Sequence, residues 1–169
     1  MVVLNAGYNR SGQVGNNGAT KQLVPADIIA SGITSVALGG NHACAVVNGA
    51  IKCWGANIYG QVGNNALLPK SPKTIIASGV VNVETVSPVA GDLQRHTCEI
   101  NTSGALYCWG GNPHGQIGIG TNIAQITPYQ VFSSGVTTVK MGGDRTCAIV
   151  SGSLYCWGNN TYSSIGDGG

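Results

Sequence analysis

The tripeptide Cys-Trp-Gly occurs three times, at Cys53-Trp54-Gly55, Cys108-Trp109-Gly110 and Cys156-Trp157-Gly158, with spacings of 55 and then 48 residues. A second cysteine precedes each copy: Cys44, Cys98 and Cys147. A Gly-Gln-aliphatic-Gly element follows, as Gly60-Gln61-Val62-Gly63 and Gly115-Gln116-Ile117-Gly118. Ser163-Ser164-Ile165-Gly166 is a degenerate version, and an earlier one, Gly12-Gln13-Val14-Gly15, has no cysteine pair. A third marker, a proline leading an apolar stretch that ends in Ser-Gly, runs from Pro25 to Gly32, Pro72 to Gly79 and Pro128 to Gly135. Nothing in the chain lies outside this period. Units of this size cannot bury an apolar face alone, so adjacent copies must stack into one continuous core. The chain therefore reads as a single repeat domain, divided into a partial unit at 1–18 and units at 19–65, 66–120 and 121–169, the last with a decayed end.

Within a unit, the segments Ile33 to Leu38, His42 to Val47 and Ala50 to Trp54 are short, rich in Val, Ile and Ala, and bounded by Gly and Asn, as β-strands are. With 27 glycines and no capped apolar stripe, no window lets a long helix survive its propensity cost. An all-β fold follows. Between Cys44 and Cys53 lies Asn48-Gly49, the dipeptide suited to a type I′ hairpin turn, in which both central residues take positive φ. With these two as the loop, Val47 faces Ala50, Val46 faces Ile51, Ala45 faces Lys52 and Cys44 faces Cys53. Alternation outward from the turn makes the cysteines a non-hydrogen-bonded pair with Cα atoms about 4.5 Å apart, a separation that a disulfide accepts. Ser151-Gly152 repeats the geometry and sets Cys147 opposite Cys156, while the longer turn Thr102-Ser103-Gly104 still centres Cys98 on Cys108. Three hairpins with one register select these three bridges from the many pairings that six cysteines allow. Such bridges belong to an oxidising compartment.

The middle unit departs from its neighbours. The step from the marker glycine to the first cysteine takes 12 residues from Gly32 to Cys44 and from Gly135 to Cys147, but 19 from Gly79 to Cys98. The extra residues fall near 86–92, where the other units have Gly39-Gly40 and Gly142-Gly143, and are expected to lengthen a loop. A loop that breaks the repeat is a candidate recognition feature. Asp92, Gln94 and Arg95 in it, with Tyr59 and His114 at equivalent inter-repeat turns, are the candidate partner-contact residues.

With 8 Lys or Arg and 6 Asp or Glu spread along 169 residues, the chain has no basic stripe able to neutralise a run of phosphates, and nucleic acid is not an expected partner. No apolar run approaches the roughly 20 residues that span a bilayer, and no signal segment opens the chain. The acids do not recur as spaced pairs, no serine sits in a nucleophile elbow, and the Gly-rich loops lack the lysine of a phosphate cradle. No catalytic constellation or cofactor site is expected. His42 and His96 stand two residues before cysteines, but those cysteines lie on paired strands and the third unit has Arg145 in the histidine's place, so no metal site is expected either.

A period of about 50 residues built of short strands, carrying His42-Ala43-Cys44-Ala45-Val46, then Cys53-Trp54-Gly55, then Gly60-Gln61-Val62-Gly63, resembles the repeat of the regulator of chromosome condensation family. The resemblance covers essentially the whole chain and implies β-propeller blades of four antiparallel strands. The paired cysteines are similar to those of secreted bacterial members, which implies an extracellular or cell-surface location. The family's functions range from nucleotide exchange on a small GTPase through ultraviolet-B reception to inhibition of β-lactamases. Trp54, Trp109 and Trp157 share one repeat position and are expected to pack blades. Three periods and a part do not close a propeller, which needs about four to eight blades. The resemblance therefore implies a partial propeller, or one completed by further blades or other copies. The expected function is a non-catalytic extracellular module that binds a protein or glycan. The alternative is a structural protein that self-assembles into rings, stacks or filaments.

Overall fold

The computed structural model describes residues 4–7, 9–65, 69–86 and 95–166. Strands β1 (Leu4–Gly7) and β2 (Gln22–Asp27) form a two-stranded sheet. The first four-stranded sheet contains β3 (Ile33–Leu38), β4 (His42–Val47), β5 (Ala50–Gly55) and β6 (Lys73–Ile76). The second contains β7 (Val80–Thr85), β8 (His96–Asn101), β9 (Leu106–Gly110) and β10 (Gln125–Phe132). A three-stranded sheet of β11 (Val136–Met141), β12 (Arg145–Val150) and β13 (Ser153–Gly158) follows. Neighbours in every sheet are consecutive and antiparallel. These sheets are propeller blades. Each four-stranded blade draws three strands from one sequence unit and its outermost strand from the next.

The hairpin register is the expected one. Asn48 and Gly49 take φ of 51° and 77°, and Val47 faces Ala50, Val46 faces Ile51 and Cys44 faces Cys53. Disulfides join Cys44 to Cys53, Cys98 to Cys108 and Cys147 to Cys156, each with Cα atoms 4.1 Å apart. The period of two along a strand gives every blade one face with the disulfide and another with the tryptophan.

Those faces make the core. Ala37, Cys44, Val46, Ile51 and Cys53 on the disulfide face of the first complete blade pack against Val80, Val83, Tyr107 and Trp109 on the tryptophan face of the next. Cys98, Ile100, Leu106 and Cys108 repeat the contact against Val136, Val139, Ala148 and Trp157. The apolar burial lies between sheets, so no blade is stable by itself. The first strands β3, β7 and β11 pack beside one another. Ser35 Oγ donates to Asn82 Oδ1 at 3.0 Å, and Lys140 pairs with Glu84 across the next interval.

Candidate functional site

The turns that follow β1, β5 and β9 are built alike. Asn57 Oδ1 accepts from the Val62 amide at 2.7 Å and Gln61 Oε1 accepts from the Tyr59 amide at 2.9 Å. Asn9 with Gln13, and Asn112 with Gln116, make the same two bonds. Folding the side chains inward turns the glutamine main-chain carbonyl toward the next blade. Gln61 O accepts from Trp109 Nε1 at 3.0 Å and from Thr97 Oγ1 at 2.8 Å, and Gln116 O accepts from Trp157 Nε1 at 2.9 Å and Thr146 Oγ1 at 2.8 Å. Gln13 O receives Trp54 Nε1 at 3.0 Å, with Ala43 in the threonine's place. Gly63 has φ of 84°, and a Cβ there would stand 2.7 Å from Trp109 Nε1, which explains the last glycine of the motif.

A further link crosses the same joint. His42 Nε2 lies 3.0 Å from Thr97 Oγ1 and His96 Nε2 lies 2.8 Å from Thr146 Oγ1. Each threonine spends its single proton on the glutamine carbonyl, so the histidine Nε2 carries the hydrogen and donates. Burial lowers the pKa of His42 to about 3, helped by the charges of Arg95 and His96, and its ring is neutral. The histidines are structural, and their partners stand on the following blade.

The loops after first strands and the turns after third strands lie at one end of the blades. They are tied there by Ala56 N to Asn41 O at 2.7 Å, Gly111 N to Arg95 O at 2.8 Å and Asn159 N to Asp144 O at 2.9 Å. Tyr59 and His114 occupy equivalent turns at this end, Tyr59 half-buried and His114 exposed. His114 Nε2 lies 3.5 Å from Asp144 Oδ2 of the next blade, and Gln116 Nε2 donates to the other carboxylate oxygen at 3.3 Å. Arg95 is buried at the entry to β8. With the Asn41 amide oriented to satisfy its neighbours, its oxygen accepts from Arg95 Nη1 at 3.2 Å and its nitrogen donates to Gly40 O at 2.7 Å. Asp92, Gln94 and most of the inserted stretch lie outside the described residues. Tyr59, Arg95 and His114 thus share one end of the molecule at successive joints.

Sequence reasoning passed over Glu99. Strand pairing sets it beside Val83 and Tyr107, inside the apolar seam between the two complete blades, at a position that is Ala45 and Ala148 in the other units. It is 1% exposed, Oε2 has no hydrogen-bond partner among the described residues, and burial pushes its pKa up to about 8. The carboxyl is therefore protonated at neutral pH. The signal was an acid at a position that is alanine in both other units. Among the described residues no three His, Cys, Asp or Glu side chains gather as a metal-holding group.

The profile of the regulator of chromosome condensation (RCC1) repeat matches residues 3–46 and 103–149, more than half of the chain. The chain belongs to the RCC1 repeat family. Over 133 residues it is 33% identical to the ultraviolet-B receptor UVR8 of Arabidopsis thaliana, covering 74% of this chain and 29% of that protein. It is 31% identical to the probable E3 ubiquitin-protein ligase HERC6 of Homo sapiens, covering 78% of this chain and 13% of the ligase. The secretion-regulating guanine nucleotide exchange factor of Bos taurus is also 31% identical, over 68% of this chain and 26% of its own length. The chain spans under a third of each of these RCC1-type relatives. Among solved structures, Prp20p of Saccharomyces cerevisiae superposes with a TM-score of 0.79 at 21% identity, covering 99% of this chain and 43% of that one. Human WBSCR16 superposes at 0.78 with 20% identity, covering 99% and 46%. At such identities the likeness is one of fold: this RCC1 chain is an arc of a propeller.

Proposed function

We propose that the chain is a non-catalytic recognition module that binds a protein or glycan outside the cell through the loop end of its blades. The observation that supports it most is the single altered joint. The blades repeat one another closely, and the one step that is seven residues longer enters at the end where Tyr59 and His114 lie. Recognition residues concentrate on loops held by a rigid scaffold, and here each joint is held by a tryptophan bond to a glutamine carbonyl, joined by a threonine bond in the second and third. The three disulfides support an oxidising compartment. RCC1-type relatives bear names as different as receptor, ligase and exchange factor, which fits a scaffold whose activity is set by what is grafted on it.

The test is binding to arrays of secreted proteins and of glycans by the oxidised chain, by Tyr59→Ala/His114→Ala and by Asp92→Ala/Gln94→Ala. The reading expects a discrete hit that both double variants weaken. A hit profile unchanged in both would remove the loop end from consideration. A second reading, self-assembly into rings, stacks or filaments, is favoured by the last blade, whose disulfide face is uncovered among the described residues and carries Leu154 at 71% exposure.

A further inference from the structure

The seams on the two sides of the second complete blade differ at one buried position. Val83, Glu99 and Tyr107 stand side by side on β7, β8 and β9, and Val139, Ala148 and Tyr155 hold the same places on β11, β12 and β13. Residues directly opposite on paired strands point to one face, so the Glu99 side chain enters the seam with Val83 and Tyr107. Across that seam lie Cys44, Val46, Ile51 and Cys53 of the first complete blade, all fully buried. The neighbouring seam, with Ala148 in the acid's place, is apolar there.

Glu99 Oε2 is buried without a hydrogen-bond partner among the described residues, so the closed seam offers a carboxylate no compensation. The strand ladders of β7 and β9 close its flanks, and the Cys98–Cys108 bridge staples β8 to β9. Water therefore reaches the carboxyl by entering between the blades. The titratable and charged groups on the two faces are the half-buried Tyr107 beside it, His42 and Arg95 toward the loop end, and Lys73, exposed at the outer edge opposite Cys53. Alternation along β8 puts Thr97 and then Arg95 on the same face as Glu99. Their bonds to Gln61 O and Asn41 Oδ1 cross the same seam.

We propose that the seam between the two complete blades is a proton-held joint, closed while Glu99 is protonated and parted when it ionises. Parting gives up the bonds of Thr97 and Arg95 to the first blade, while each blade stays stapled by its own disulfide. The switch therefore reaches the loop end, where Arg95 enters β8. In the open joint Glu99 has its ordinary pKa of 4.5 and in the closed one about 8, so the open fraction rises about tenfold per pH unit through that interval and levels above it. His42, which faces Thr97 across this seam and is held neutral, gives the opposite limb, opening being favoured as pH falls from 6.5 toward 3.

The bridge Cys44–Cys53 faces this seam and Cys98–Cys108 faces the other, so each reports on its own joint. The oxidised chain, Glu99→Gln and Glu99→Ala are pulsed with a phosphine reductant at a series of pH values, the freed thiols are alkylated, and each bridge is counted by peptide mass spectrometry. Dividing the wild-type rate by that of Glu99→Gln cancels the reductant's own pH dependence. The expected ratio for Cys44–Cys53 rises about a hundredfold between about pH 6 and 8 and then levels, while that for Cys98–Cys108 stays near one. Glu99→Ala, which carries the residue of both other units, is expected to match Glu99→Gln, and both keep the acid limb set by His42. A Cys44–Cys53 ratio that does not change with pH would overturn the proton-held joint. An equal rise at both bridges would also overturn it, since the whole arc would then be unfolding and not one seam.

Discussion

The second complete blade and the last blade are near copies in sequence, yet they differ in how they are covered. Leu106 and Trp109 are fully buried, whereas their counterparts are largely exposed at Leu154 and half-buried at Trp157. Both blades have the same hairpin register and the same disulfide. Two things differ: the second complete blade is packed on both faces and has β10 along the outer edge of β9, whereas among the described residues the last blade is packed on one face and β13 has no outer partner. A blade's internal structure is thus specified locally, while how deeply its side chains are buried depends on the strands and blades beside it.

The largest test of this contrast is at the tryptophans. Trp109→Ala is expected to lose about 3–5 kcal/mol, the range for a buried aromatic, and Trp157→Ala distinctly less. Equal losses in urea melts of the two variants would mean that the terminal blade is already packed in solution. A second difference is the acid in the seam. Glu99 has a folded pKa of about 8 against 4.5 unfolded, so its contribution to stability is fully present below pH 4.5 and is lost as pH rises through 8. His42 acts in the opposite sense, its contribution being present above pH 6.5 and lost as pH falls toward 3. Stability should peak between these windows, with Glu99→Gln gaining on the order of a few kcal/mol at pH 8 and little at pH 4. Parallel pH profiles for wild type and Glu99→Gln would contradict the buried, neutral carboxyl.

At the joints, Thr97→Val removes a donor to Gln61 O and leaves His42 Nε2 without its acceptor, for an expected loss of about 1–3 kcal/mol in the same melts. If Thr97→Val were neutral, the joint would work as the first one does with Ala43. The smallest effect belongs to Leu154→Ala, expected within about 0.5 kcal/mol of wild type in a monomer. A loss that grows with protein concentration would show instead that another copy covers the face.

Much of this was legible in the sequence. Asn48-Gly49 fixes a turn, the turn fixes a register, and the register puts Cys44 on Cys53 without reference to the rest of the chain. The recurring tryptophan gave the packing face. Contacts between blades were harder to read because they join residues about one period apart. The threonine under each histidine is unremarkable until the next blade is placed above it. Arg95 reads as a loop residue, yet its place at the strand entry carries it into the seam beside Asn41. Glu99 could have been found by setting the three units one over another, where it stands against Ala45 and Ala148.

Every disulfide closes within its own hairpin, at sequence separations of 9 or 10 residues, and none ties one blade to the next. A duplicated or deleted repeat therefore carries its whole oxidative wiring with it and cannot create a mispaired thiol elsewhere. Blade number can change in descent without rewriting any crosslink. For the same reason a chain entering an oxidising compartment can lock each hairpin as that hairpin arrives, with no need to wait for the C-terminus.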